Sequence, residues 1–172
     1  MENILTFNKF VEQNENFCDR PIYMTSGGFD PLHVGHLRCI QETVRLANDP
    51  VKNPSNNRGL VVVVVNADSF LIRKKGYAFM PLKERMEIID GIAGVDYVIP
   101  WEANGSDQTV KEVIRVIKPQ YFTKGGDRFD PETIPEWETC QDVGCKIIVG
   151  VGSGGKIQSS SDLVRRAYGK LS

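Results

Sequence analysis

The sequence predicts an α/β domain: a parallel sheet of about five strands with helices on both faces. Three observations carry this. Short apolar runs alternate with segments whose apolar residues recur at helical spacing. One run, "LVVVVV" (Leu60 to Val65), has no polar alternation, as in a strand buried on both faces. A Gly-rich loop directly follows the first strand-like run, where α/β sheets place ligands.

The elements follow in order. Residues 1–20 read as an N-terminal helical extension outside the core, and 21–172 as the domain itself. "PIYMT" (Pro21 to Thr25) is a first strand, running into "GGFDPLHVGH" (Gly27 to His36). Leu37, Ile40, Val44 and Ala47 then mark a helix starting near Gly35 or His36. Asp49 to Gly59, dense in Pro, Asn and Gly, is a loop longer than most helix-to-strand connections.

After the strand at Leu60, Pro81 opens a helix carrying Leu82, Met86, Ile89 and Ala93. "DYVIP" (Asp96 to Pro100) is a third strand. Val110, Val113, Ile114 and Ile117 mark a helix closed by Pro119. "QYFT" (Gln120 to Thr123) and "KIIVGV" (Lys146 to Val151) are the fourth and fifth strands, and Leu163, Val164, Ala167 and Leu171 a last helix. Such alternation predicts right-handed crossovers. It brings Gly27 to His36, Asn66 to Lys75 and Lys124 to Arg128, each just after a strand, to one sheet edge.

Bulk properties bound the function. A chain of 172 residues with 41% hydrophobic and 25% charged residues suits one soluble domain. Its formal net charge of -1 gives no general attraction to nucleic acid or membrane, though a local basic patch for a phosphorylated ligand is compatible with it. No apolar run is long enough to span a bilayer, and the N-terminus lacks a signal-peptide pattern, so a cytoplasmic location is expected. Cys18, Cys39, Cys140 and Cys145 form no CxxC pair and read as reduced structural thiols.

The two histidines of the chain, His33 and His36, both lie in the Gly-rich loop. Gly27 and Gly28 allow close backbone approach and unusual backbone angles. The helix that follows turns free N–H groups and its positive dipole end toward the loop, which makes an anion site with phosphate as its usual occupant. Histidines at i and i+3 add donors for phosphate oxygens and for charge developing in phosphoryl transfer. A zinc site is not expected, since no third His exists and Asp30 sits in the same tight loop.

This stretch resembles the HxGH signature of the cytidylyltransferase-like nucleotidyltransferases. The resemblance covers about Ile22 to Arg166. It implies a Rossmann-like sheet. It also implies attack by a substrate phosphate on the α-phosphorus of a nucleoside triphosphate, with pyrophosphate leaving and no covalent enzyme intermediate. His33 and His36 would hold the triphosphate and its transition state, with Lys75 beside them as a third catalytic group. Gly27, Gly28, Phe29 and Asp30 would line the nucleotide site. "VNADSF" is similar to the segment after the second strand, with Asp68 matching an acid there that would bind the acceptor. "KKGYAFMPLKERMEII" resembles the segment that supplies a phosphate-binding lysine and an arginine, at Lys75 and Arg85, with Lys74 alongside on the acceptor.

"FTKGGD" adds Gly125, which permits close approach, and Asp127, which accepts hydrogen bonds from ribose or base. Its "KGGD" is similar to the bacterial heptose-phosphate adenylyltransferases. A Gly-Gly turn with a capping Asp is the plain alternative. "KIQSSSDLVRR" resembles the family's second signature, so Ser159, Ser160 and Ser161 would meet the β- and γ-phosphates, while one of them caps the last helix. Serines stand where threonines are usual. Gly154 replaces an arginine of the glycerol-phosphate enzymes, with Lys156 as a substitute nearby.

Magnesium is implied with the triphosphate, held mainly by phosphates, with Asp30 touching it through water. No residue forms a dedicated metal site, and the resemblance implies a homodimer. The expected function is adenylyl transfer from a nucleoside triphosphate to a small phosphorylated acceptor such as a sugar phosphate. The alternatives are cytidylyl transfer to glycerol phosphate or another phosphorylated alcohol, and a non-catalytic nucleotide-binding regulatory domain.

Overall fold

Leu60 to Val65 set the centre of the molecule. In the computed structural model, which describes residues 3–14, 20–53, 58–103, 109–126, 129–152 and 158–168, all six are buried. They belong to β2 (Leu60–Asn66), flanked in parallel by β1 (Ile22–Gly27) and β3 (Tyr97–Trp101). β4 (Tyr121–Gly125) pairs with the free side of β1, and β5 (Lys146–Val151) with β4. The order is β3-β2-β1-β4-β5 and every pairing is parallel. This is the five-stranded Rossmann-like α/β sheet the sequence predicts.

The strand period of two explains the unbroken valine run. Leu60, Val62 and Val64 face one side, where they meet Phe10 of α1 (Phe7–Asn14), Ile114 and Ile117 of α5 (Lys111–Ile117) and Cys140 of α6 (Trp137–Val143). Val61, Val63 and Val65 face the other, against Ile40 and Ala47 of α2 (Val34–Ala47) and Met86 and Ile89 of α4 (Leu82–Asp90). Each such side chain contributes about 1.5–3 kcal/mol relative to exposure. A polar residue on either side of β2 would lose that and gain a desolvation cost.

Residues expected as an extension outside the core take part in it. The Val98 N–H donates to the Asn3 carbonyl at 3.0 Å and the Leu5 N–H to the Val98 carbonyl at 3.1 Å. This segment thereby covers the outer edge of β3, and Phe10 of α1 is fully buried.

Two helices were not expected. α3 (Asp68–Lys75) follows β2 and buries only Phe70 and Leu71. α6 follows a short 3₁₀ turn at Pro131–Thr133 and packs on β5. The last helix, α7, spans Ser160–Tyr168. The chain turns back between β1 and β4, so the crevice at their carboxyl ends is the topological switch point.

Candidate active site

β1 ends at Gly27 and α2 begins at Val34, so the Gly-rich loop sits on the switch point. The left-handed angle in this loop belongs to Phe29 (φ 52°), not to Gly27 or Gly28. Those glycines sit in close contact instead: a Cβ on Gly28 would lie 2.6 Å from Leu71 Cδ2 and displace that side chain, and one on Gly27 3.2 Å from the Phe29 ring.

Asp30 holds the loop down. It is 2% exposed, and its carboxylate accepts from Lys75 Nζ (2.8 Å), the Phe79 N–H (2.8 Å) and the Met80 N–H (2.6 Å). Burial alone would raise its pKa, but the bonds from Lys75, Phe79 and Met80 outweigh that and hold it below the usual carboxylate value. With both oxygens engaged this way, Asp30 is an anchor for Lys75 and the 79–80 turn. Lys75 Nζ also donates to the Asp30 carbonyl at 2.7 Å. Two of its three N–H groups are thus used.

The histidines have a double duty. His33 is the N-cap of α2, and its Nδ1 accepts from the Gly35 N–H at 3.1 Å. His36 Nδ1 accepts from the His33 N–H at 3.4 Å. The two rings stack with centroids 3.8 Å apart, and Phe29 stands edge-on to His36 at 5.2 Å. Burial lowers the pKa of both rings, and for His36, with His33 and Lys75 pushing the same way, it falls to about 4. Both are therefore neutral at pH 7. With each Nδ1 accepting a backbone proton, each ring carries its own proton on Nε2 as a donor.

Two lobes of one cleft open over this loop. The first, about 380 Å³, is lined by Gly28, Asp30, Lys74 and Lys75. The second, about 320 Å³, is lined by His33, Gly35, Cys39 and Gly125. Gly27, Phe29, His36, Ser159 and Ser160 border both, and Ser161 the first. Residues far apart in sequence are thus brought together. Ser160 Oγ donates to the Pro31 carbonyl at 2.9 Å and ties the start of α7 to the loop. Ser159 stands at the cap position, its carbonyl accepting from the N–H groups of Asp162 and Leu163.

A hydroxyl network fixes α2 over the switch point: Thr43 Oγ1 lies 2.8 Å from Thr123 Oγ1, and Thr25 Oγ1 donates to the Thr123 carbonyl at 3.1 Å. The second lobe is walled by close backbone. A Cβ on Gly125 would sit 2.9 Å from Cys39 Sγ, and one on Gly152 (φ +97°) 2.8 Å from the Cys39 N.

Two expected ligand contacts lie elsewhere. Arg85 is 0% exposed, and its guanidinium donates to the carbonyls of Gly28 (2.6 Å), Asn66 (2.8 Å) and Met80 (2.9 Å) and to Asp68 at 2.5 Å. It braces the loop from beneath and has no face toward the cleft. Asp68 pairs with it and accepts from the Leu82 N–H at 3.2 Å, so it is a brace as well. Asp127, Gly154 and Lys156 lie outside the described residues.

Residues 24–165 match the cytidylyltransferase-like family model. The chain belongs to the cytidylyltransferase-like family. It is similar to the bifunctional protein HldE of Haemophilus ducreyi, 30% identical over 90% of this chain and 28% of that protein. It is also similar to the bifunctional protein HldE of Alkalilimnicola ehrlichii, 34% identical over 66% of this chain and 21% of that protein. The chain thus spans about a quarter of the length of these curated relatives. Among solved structures, a lipopolysaccharide core biosynthesis protein from Thermoplasma volcanium superposes with a TM-score of 0.60 at 23% identity. That match covers 78% of this chain and 98% of the other, and it shows the shared fold. The cytidylyltransferase-like domain is an enzyme domain of the nucleotidyltransferase type.

Its cleft holds two charged residues that sequence reasoning did not single out. Lys124, the fourth residue of β4, lines both lobes and donates to Ser26 Oγ at 3.1 Å. Its place at the end of a strand beside β1 was the available signal. Glu136 lines the first lobe with its carboxylate 3.9 Å from Lys124 Nζ. It arrives on the connection before α6, where no local pattern marks it. Among the described residues, no group of three or more His, Cys, Asp or Glu is arranged for a metal ion.

Proposed function

We propose that this domain transfers the adenylyl group of ATP to a small sugar phosphate. An acceptor phosphate oxygen attacks the α-phosphorus. The bond from that phosphorus to the bridging oxygen breaks, and pyrophosphate leaves with the electron pair. The observation that carries this is the pair of neutral, stacked imidazoles with Nε2 donors in a cleft between two helix starts. Such donors stabilise charge that grows on phosphate oxygens, and they need no reorganisation as it grows.

His36 borders both lobes, so it suits the reacting phosphorus. His33 and the serine run suit the β- and γ-phosphates, where unpaired N–H groups of α2 and α7 add partial positive charge. Lys75, aimed by Asp30, offers its remaining N–H to an anionic oxygen. Magnesium bound to the triphosphate would supply charge neutralisation for the leaving group, and among the described residues no cluster is assigned to it.

The choice of ATP over CTP rests on "KGGD" at the end of β4 and on the likeness to HldE proteins. Calorimetry with magnesium and no acceptor tests it. ATP should bind at least about tenfold tighter than CTP, the worth of one or two discriminating hydrogen bonds. A CTP preference would move the domain to cytidylyl transfer onto glycerol phosphate or another phosphorylated alcohol.

A further inference from the structure

The first lobe has a wall that the transfer step leaves unused. Its charged member is Glu136, 5% exposed and set beside Lys124. Resting on the transfer proposed above, we infer that Glu136 reads hydroxyl groups of the acceptor, which is a phosphomonoester of a polyhydroxylated carbon chain.

A carboxylate has about four lone-pair sites, and a buried one needs donors. Glu136 Oε1 accepts from the Val110 N–H at 3.4 Å, and Oε2 is 3.9 Å from Lys124 Nζ. Both contacts are long, and no described donor comes closer. Glu136 lines a cavity of about 380 Å³, large enough for a small sugar phosphate, and both carboxylate contacts are to residues of the same lining.

Three ligand chemistries compete for this wall. A phosphate is repelled by Glu136 and finds Lys74, Lys75 and His36 on the same lobe. An ammonium group would place a second positive charge against Lys124, already held there by Ser26 and Glu136. Hydroxyls bring donors without charge and complete the carboxylate. The lobe therefore has an anion-binding side and a hydroxyl-binding side, and an acceptor must carry both groups.

The test is calorimetry on the full chain with mannose 1-phosphate, glycerol 3-phosphate, phosphoethanolamine and ethyl phosphate. The wild type should bind at least one polyhydroxylated phosphate about tenfold or more tighter than ethyl phosphate, as expected for hydrogen bonds to a charged group. Glu136→Ala should erase that preference, while ethyl phosphate binds as well as before or better. Glu136→Gln keeps one acceptor oxygen and should fall between. If Glu136→Ala loses the wild-type circular dichroism spectrum, Glu136→Gln decides alone, and an unreduced preference there overturns the inference. So does a wild type that favours none of the polyhydroxylated phosphates, or one that favours phosphoethanolamine. Pyrophosphate release by the wild type is read separately: its absence beside an intact hydroxyl preference defeats the transfer reaction and leaves the assignment of Glu136 standing.

Discussion

His36 states the chemistry of the site most compactly. The chain has two histidines, so their ring-proton signals can be followed through a pH titration without crowding. His36 should remain neutral down to about pH 4 in the free protein, because burial, His33 and Lys75 all disfavour its cation. The unfolded chain takes up that proton near its ordinary 6.5. The unfolded state therefore binds more protons between those values, and stability should fall as pH drops from 6.5 toward 4. Asp30, held below the usual carboxylate value, extends the loss to lower pH. A His36 signal titrating near 6.5 would contradict the buried, stacked environment, and one titrating well above 7 would remove the neutral-donor account. At saturating triphosphate, His36→Ala should lower turnover on the order of a hundredfold, as loss of one preorganised donor does. Arg85 gives the opposite pattern. Removing it leaves Asp68 and three carbonyls without their partner, so Arg85→Ala should destabilise by about 3–5 kcal/mol in chemical denaturation. A stable Arg85→Ala that had lost only triphosphate affinity would return Arg85 to the ligand. The sequence shows an arginine one turn into a helix near an anion site. Only burial reveals that its charge faces inward.

At the scale of elements, α2 and α7 start on the same cleft, one at His33 and one at Ser159. Replacing Ser160 and Ser161 with Ala should raise the Michaelis constant for triphosphate, lower turnover, or both. The stability loss should stay near the roughly 1 kcal/mol of a lost cap, with the Ser160 to Pro31 bond as part of it. A large fall in melting temperature with unchanged kinetics would make the serines structural only. Five strands and α2, α4, α5 and α7 are legible in the sequence because their apolar residues repeat at the right period or are unbroken. α3 is not, since it buries two residues at the carboxyl edge and is otherwise mostly charged, reading as a charged loop. α6 is hidden for a related reason, as only Thr139 and Cys140 of its residues are buried. Phe10 is a different failure. One aromatic in a polar segment does not announce that it will fill a gap between β3 and α5. The candidate site follows the same logic. His33, His36, Lys75 and the serines sit in short motifs with a physical reason for their spacing. Glu136 reaches the cleft through tertiary packing alone.

The whole molecule is a two-faced sheet whose carboxyl edge carries the candidate site. Reversal of the chain between β1 and β4 leaves a crevice there, and the Gly-rich loop, α3, β4 and the start of α7 converge on it. Among the described residues, no helix is long and apolar enough to cross a membrane. The function proposed above is, at this scale, the joining of two phosphorylated ligands, one in each lobe, across His36. The most direct measurement is pyrophosphate release by the wild-type chain with magnesium, across ATP, CTP, GTP and UTP. Each is paired with mannose 1-phosphate, glycerol 3-phosphate or no acceptor. The account predicts release that needs both partners, is fastest with ATP and a sugar phosphate, and is lost in His36→Ala. Triphosphate binding without release in any combination, by a wild type folded at the assay temperature, would contradict it and leave a nucleotide-binding domain without transfer chemistry.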